Sequence, residues 1–491
     1  MSQPNPPATP TTPPTTTTTT LAQRRLGVWA IVFFVVSAAA PLTVVASAAA
    51  TDFRLAGIGG PGAMLASGVV LMLFAVGFTA MSRYVRNTGA FYVYGARGLG
   101  KPVGIGIVFV TIFSYTALCI CFYGFVGFFG EMTFSALFGI DLPWTVYAVL
   151  ALIIVGVLGY NKIDVGAKVL GVLLTAEVAI LLILAVAVLA KGGPEPVSFA
   201  SFAPENVFFA TGSGALFVFG FGAYLGFEST AIYTEEAKDP ARTVPMATYI
   251  SIAFLGIFYA FTFWVLTVAF GVEGVLKLAM QDDFQDMVFH AGDAYLGEWA
   301  SVTMRVLIVT SFFACLLAFH NASSRYLFSL GRERLLPTWL AQTQPTTQAP
   351  HHASLVISIV SLVAIVVTIV SGADPFLGFA LPVYSIGVAG LVFAQAVAAI
   401  AVVGFFLRGR RGHSIWRVLV APALGAIGLL VGFTLIAMNF DLVTGLQGPI
   451  NLALLAPTPF LFLAGIVVGL ILKRRRPQHY AELTTLVPDD E

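Results

Sequence analysis

Two carboxylates stand in apolar stretches long enough to lie inside a membrane: Glu177, within TAEVAILLILAV, and Glu228, within Phe217–Pro245, FVFGFGAYLGFESTAIYTEEAKDPARTVP. An ionisable group at mid-membrane costs roughly 2.5–3.5 kcal/mol on insertion scales, so it is usually kept for a task. A desolvated carboxylate can exchange protons near neutral pH, which makes Glu177 and Glu228 the candidate proton-coupling groups. The alternative for each is structural, a carboxylate satisfied by backbone or by tyrosine hydroxyls. Beside Glu228, three glycines, Gly220, Gly222 and Gly226, fall within seven residues. An unpaired backbone group in hydrocarbon costs several kcal/mol, so a glycine-interrupted span survives only where the loosened backbone lines a cavity or binds a solute. A second interruption lies at Ser37, Ala38, Ala39, Ala40 and Pro41, where four small residues precede a proline that removes a backbone hydrogen bond. Close helix packing is the other use of such small residues. Phe219, Phe221 and Tyr224 surround the glycine break, and one of the three is expected to stack over a bound solute and gate its path.

These residues need elements that cross a bilayer, and the composition supplies them. The 491 residues are 58% hydrophobic and 10% charged, with a mean hydropathy of +0.91. Apolar runs of about 20 residues, the length that crosses a bilayer, recur along the chain. The pattern predicts an all-α polytopic membrane protein with 12 transmembrane helices, at 27–50, 58–81, 102–130, 142–160, 165–190, 207–233, 243–271, 292–322, 353–372, 376–407, 415–438 and 452–472. The third, eighth and tenth are long enough to tilt. With a cytoplasmic N-terminus, 21 of the 25 Lys and Arg residues fall on the inside, which fixes an even number of spans and puts both termini in the cytoplasm. The net charge of +1 hides this polarity and gives no reason to expect a nucleic-acid partner. Residues 1–24 form a Pro/Thr-rich tail that cannot bury a core and is expected to be disordered, and with no secretory-signal pattern at Met1 the first span is expected to be retained.

Internal symmetry follows from the two interruptions, because each opens a five-span unit. A loop of about twenty residues follows the second span and another follows the seventh; the first is basic and inside, the second acidic and outside. The units are 25–190 and 207–407, with 412–472 an appendage of two helices and 473–491 a cytoplasmic tail.

FESTAIYTEEAKDPARTVP resembles the sixth-span signature of the amino acid, polyamine and organocation (APC) superfamily, and FHNASSRYLFSLGRERLLP, Phe319–Pro337, is similar to that family's eighth-span exit into a basic loop. The likeness covers nearly the whole chain after the tail. It implies a LeuT-type fold, a 5+5 inverted repeat with discontinuous helices 1 and 6 and a site at mid-membrane that opens alternately to either side. Half-helix N-termini suit a carboxylate and the carbonyls of a broken end suit an ammonium. The carboxylate of a solute is therefore expected near Ala38, Ala39 and Ala40, and its ammonium near Phe219 to Gly222. Family members often carry a GSG-like run at the first break; Ser37 and alanines stand here instead. Side-chain selectivity is expected from spans 3, 6, 8 and 10, with Tyr115, Tyr123 and Tyr384 as candidates. Glu177 falls near the point where some members place a lysine linked to proton coupling.

Other polar residues carry two readings each. Glu235 and Glu236, with Asp239 and Arg242, form either a solvated loop or an inner gate that pairs with Arg83, Arg325 or Arg332 in outward-facing states. His351 and His352 are expected as a solvated pair in a cytoplasmic loop, and His320 as a packed or hydrogen-bonded residue or a proton relay. Cys119 and Cys121, two apart on a helix, point in different directions, so with Cys315 they are expected to pack; no metal and no cofactor is implied. With no GK[ST] phosphate loop, no HExxH and no large soluble segment, enzymatic chemistry has little support. Three functions remain: a plasma-membrane amino-acid permease driven by protons, a permease or exchanger for a polyamine, ethanolamine or another organocation, and a channel or nutrient receptor on the same scaffold.

Overall fold

Glycine and proline punctuate the helices of this chain. The structure, a computed structural model, describes residues 26–84, 90–161, 167–228, 230, 237–345, 347 and 349–483. α1 (Val28–Ala39) stops at Ala40, whose φ of 43° is left-handed, and α2 (Pro41–Val44) restarts on proline. A π turn, Val45–Ala49, leads into α3 (Ala50–Ala56), and Gly57 at φ 78° turns the chain into α4 (Gly60–Met81). α5 (Ala90–Gly98) precedes α6 (Lys101–Phe138), which ends on left-handed Gly139 with its N–H on the Phe134 and Ser135 carbonyls. α7 (Trp144–Asn161), α8 (Ala167–Lys191), α9 (Ser213–Gly222) and α10 (Pro240–Phe270) follow. Beyond them come a hairpin of α11 (Val272–Ala279) and α12 (Met287–Tyr295), then α13 (Glu298–Arg332) and α14 (His351–Ser371). A π turn, Pro375–Ala380, capped by the Asp374 carboxylate, opens into α15 (Leu381–Leu407). The chain closes with α16 (Ala421–Met438), α17 (Phe440–Thr444), α18 (Pro449–Leu455), α19 (Pro457–Arg475) and α20 (Pro477–Glu482).

Among the described residues, nine helical stretches are long and apolar enough to cross a membrane, and Trp144–Tyr160 and Ser213–Gly222 are shorter apolar helices. This is an integral, multi-pass, all-α membrane protein. α6 has 38 residues and α13 has 35, well above the ~20 needed to span, so both have the length to tilt.

Three boundaries depart from the sequence expectation. The eighth span begins at Glu298, not 292, because α12 belongs to the hairpin and Gly297, at φ 95°, turns the chain between α12 and α13. The sixth is not a continuous 207–233: a separate π turn, Glu205–Phe209, precedes α9, and helix ends at Gly222. His351 and His352 open α14 instead of lying in a loop, with His352 Nδ1 3.0 Å from the Trp339 carbonyl oxygen.

Two groups of helices form the core. α10 packs on α4 and α1, and α9 packs on α4; these carry the first, second, sixth and seventh spans. α6, α7, α13 and α14 form the second group, with α13 against α6 and α14 against α7. α15 and α16 flank them, α15 on α6 and α16 on α4. The site lies where the two groups meet.

Candidate functional site

Ala40 creates the first break. A left-handed alanine costs about 1–2 kcal/mol, and the proline that follows has no N–H to offer. The freed groups at the break find side chains from other helices. The Leu42 N–H, at the start of the second half-helix, donates to Glu177 Oε2 of α8 at 3.2 Å. On the other side of the break, the Tyr259 hydroxyl of α10 donates to the Ala39 carbonyl at 3.1 Å. Glu177, only 3% exposed, thus sits where backbone N–H groups and the helix dipole favour an anion. A small cavity beside it is lined by Ser37, Ala40, Glu177 and Ser311. The Thr43 hydroxyl donates to Ser311 Oγ at 2.8 Å, so two hydroxyls stand between Glu177 and the larger cavity that Thr43 lines.

The second break begins at Gly222. A turn over 223–226 replaces the helix, Gly226 adopts φ 102°, and the Gly226 N–H donates to Glu228 Oε2 at 3.1 Å. Glu228 Oε1 accepts the Tyr115 hydroxyl of α6 at 2.6 Å. Glu177 and Glu228 are therefore each hydrogen-bonded across helices, and each holds the backbone of a break.

Between the breaks lies a cavity. Ala39, Thr43, Val44 and Ser47 come from the first interruption, and Phe219, Gly222 and Leu225 from the second. α6 adds Phe122 and Phe125, α13 adds Phe312, Cys315 and Phe319, and α15 adds Tyr384. The rings stack in pairs: Phe122 on Phe319 at 5.2 Å, Phe125 on Phe312 at 5.2 Å, and Phe219 on Tyr384 at 5.4 Å. A methyl group on Gly222 would collide with the Tyr384 hydroxyl, so glycine lets these two elements touch.

Of the residues singled out from sequence, Ala39, Phe219, Gly222 and Tyr384 reach this cavity. Ser37 and Ala40 border the smaller one beside Glu177. Pro41 opens the second half-helix, and the side chain of Ala38 lies outside the description. Gly220 instead lets α9 approach α4, where a methyl would meet the Ser67 hydroxyl at 2.6 Å, and Phe221 packs against Gly432. The Tyr224 hydroxyl donates to the Met64 carbonyl at 2.7 Å, between Gly68 and Gly256 and turned away from the cavity. Tyr115 is one layer behind the wall, its ring 5.7 Å from Phe319, and Tyr123 is buried elsewhere in α6. Glu235 and Glu236 lie outside the described residues. His320 is buried with Nε2 2.8 Å from Ser354 Oγ. Among the described residues no group of three potential metal ligands gathers. Sequence reasoning missed Phe122, Phe125, Phe312, Phe319, Tyr259 and Ser311. The spacing of Phe122 to Phe125 and of Phe312 to Phe319, three and seven, was the available signal for a shared helix face.

A bundle with two interrupted helices meeting at one interior cavity defines a secondary transporter of LeuT-type fold. The solved structure of a manganese transporter of Eremococcus coleocola, in complex with an aromatic bis-isothiourea substituted compound, matches 90% of this chain and 94% of that one, with a TM-score of 0.53 and 14% identity, a likeness of fold alone. The amino acid permease family model matches residues 26–472, and the chain belongs to that family. An uncharacterized transporter of Mycobacterium tuberculosis is 24% identical over 318 residues, covering 64% of this chain and 68% of that protein. Cationic amino acid transporter 7, chloroplastic, of Arabidopsis thaliana is 28% identical over 170 residues, 34% of this chain and 27% of that protein.

Proposed function

We propose that this chain takes up an amino acid across the plasma membrane by alternating access, coupled to protons. In this reading 25–190 and 207–407 are inverted five-helix repeats, 412–472 adds two helices to make twelve, and 1–24 and 473–491 are cytoplasmic tails. The observation that carries it is the meeting of the Ala40 and Gly222 breaks at one cavity, with a buried carboxylate on the N-terminus of the second half-helix of the first break. Glu177 as an anion occupies the Leu42 N–H. Once protonated it holds that N–H less strongly, which frees it for the carboxylate of a solute. Thr43 and Ser311 provide a hydroxyl path from cavity to Glu177. Proton and amino acid then bind together, as uptake requires.

A second reading, permeation of an organic cation such as a polyamine or ethanolamine, is favoured by the same bond: the N–H expected to take a carboxylate is already filled. Uptake by purified protein in proteoliposomes, with and without an inward proton gradient, separates the possibilities. Saturable amino-acid uptake accelerated by the gradient is expected. Uptake confined to amines would favour the second reading, and conductance without saturation would make the chain a channel.

A further inference from the structure

The wall of the central cavity speaks to the side chain of the solute. Six aromatic rings face one another there in three stacked pairs, contributed by α6, α9, α13 and α15. The remaining lining is small or aliphatic, and its polar side-chain atoms are those of Thr43, Ser47, Cys315 and Tyr384. No carboxylate, ammonium or guanidinium group is among the described lining residues. Glu228 stands behind the wall, its carboxylate taken by the Tyr115 hydroxyl and the Gly226 N–H. Glu177 of α8 stands behind Thr43 of α2 and Ser311 of α13.

A lysine or arginine side chain entering this space would leave water and meet no anion among the described lining residues, and burying a charge without a partner is strongly unfavourable. An apolar side chain meets the opposite situation, because its own surface leaves water for a wall of buried aromatic rings and no charge is stranded. We propose that the pocket selects neutral amino acids with large apolar side chains, of the leucine, methionine and phenylalanine class, and rejects cationic ones. The inference rests on the amino-acid reading above and adds the side chain to it. Gly222 sets one limit of the pocket, since a methyl there would displace the Tyr384 hydroxyl.

Labelled phenylalanine, leucine, alanine, arginine and putrescine, each measured directly in proteoliposomes, test the proposal. Phenylalanine and leucine are expected to be carried with at least about tenfold higher kcat/KM than alanine, the scale of discrimination an apolar pocket reaches. Arginine and putrescine are expected to give no saturable uptake and no competition. Saturable arginine uptake unaffected by excess phenylalanine would overturn the selectivity and leave amino-acid transport standing; uptake of putrescine alone would overturn both. In Gly222→Ala the KM for phenylalanine should rise about tenfold while that for alanine changes little. An equal change for both substrates would show a general packing defect and remove Gly222 from the specificity argument.

Discussion

Glu177 accepts the Leu42 N–H at 3.2 Å and lies two hydroxyls from the central cavity, so the carboxylate that holds the fold of a broken helix is also the one proposed to carry the proton. Glutamine keeps an acceptor for that N–H and cannot ionise. Glu177→Gln is therefore expected to retain solute exchange in counterflow while losing acceleration by a pH gradient. Gradient-driven uptake at the level of the unmodified protein would assign coupling elsewhere. Glu228 has a different partner set. Removing the hydroxyl in Tyr115→Phe leaves Glu228 Oε1 short of its 2.6 Å bond, at a cost of about 1–3 kcal/mol in a thermal melt. The same change made on Glu228→Gln should cost less, because no charge is then stranded; equal costs in both backgrounds would mean that the bond is immaterial. Both carboxylates stand out in the sequence, since a charge in an apolar run is rare. Phe122, Phe125, Phe312 and Phe319 do not, because the chain has 42 phenylalanines and only the packing of α6 against α13 decides which face inward. Phe221 and Tyr224 show the converse: near a break in sequence, they are turned by the helix toward α16 and α4.

Helix breaks are the elements that make the site, and the two are built differently. The second uses glycine at φ 102°, whereas the first forces Ala40 to φ 43°. Ala40→Gly should relieve that strain and stabilise the protein by up to about 1 kcal/mol, less than the full penalty because glycine also enlarges the freedom of the unfolded chain. A melting midpoint in detergent a few degrees higher is expected, with Ala40→Val moving it down; a lower midpoint for glycine would mean that the alanine methyl, beside Glu177, contributes more by packing than it loses to strain. Most span boundaries are legible because a long apolar run has few alternatives. α12 was not, since its nine residues continue directly into an apolar run and hydropathy alone cannot separate a hairpin helix from the start of α13. The turn between them rests on Gly297, a single residue whose positive φ is a matter of backbone and leaves little trace in hydropathy.

For the whole molecule, the alternating access proposed above requires one side to be closed while the other opens, and the hairpin of α11 and α12 bonds to two helices whose separation such an opening would need. Arg54 of α3 donates to the Ala279 and Gln281 carbonyls at 3.0 and 3.2 Å, and Gln285 donates to the Thr51 hydroxyl at 3.1 Å. Asp286 pairs with Arg305 of α13 at 2.6 Å, with side chains only 19% and 12% exposed. The hairpin thereby ties α3, which follows the first break, to α13 of the second helix group. Removing one partner of a largely buried pair costs more than the about 0–1 kcal/mol of an exposed one, because the other charge is left uncompensated. Asp286→Asn should weaken the tie and raise the population opened on the hairpin side. Cys315 lines the cavity, whereas Cys119 and Cys121 are buried in α6, so the chain carries its own reporter. Modification of Cys315 by a membrane-impermeant thiol reagent, applied on the hairpin side of sealed vesicles, should be several-fold faster in Asp286→Asn. It should vanish in Cys315→Ser and slow again when a transported solute fills the cavity. Restoring the pair in reverse, Asp286→Arg with Arg305→Asp, should return the rate toward that of the unmodified protein, since the attraction survives the exchange of ends. If the rate in Asp286→Asn stays unchanged, the hairpin is held by Arg54 and Gln285, and the ion pair has no part in keeping that side shut.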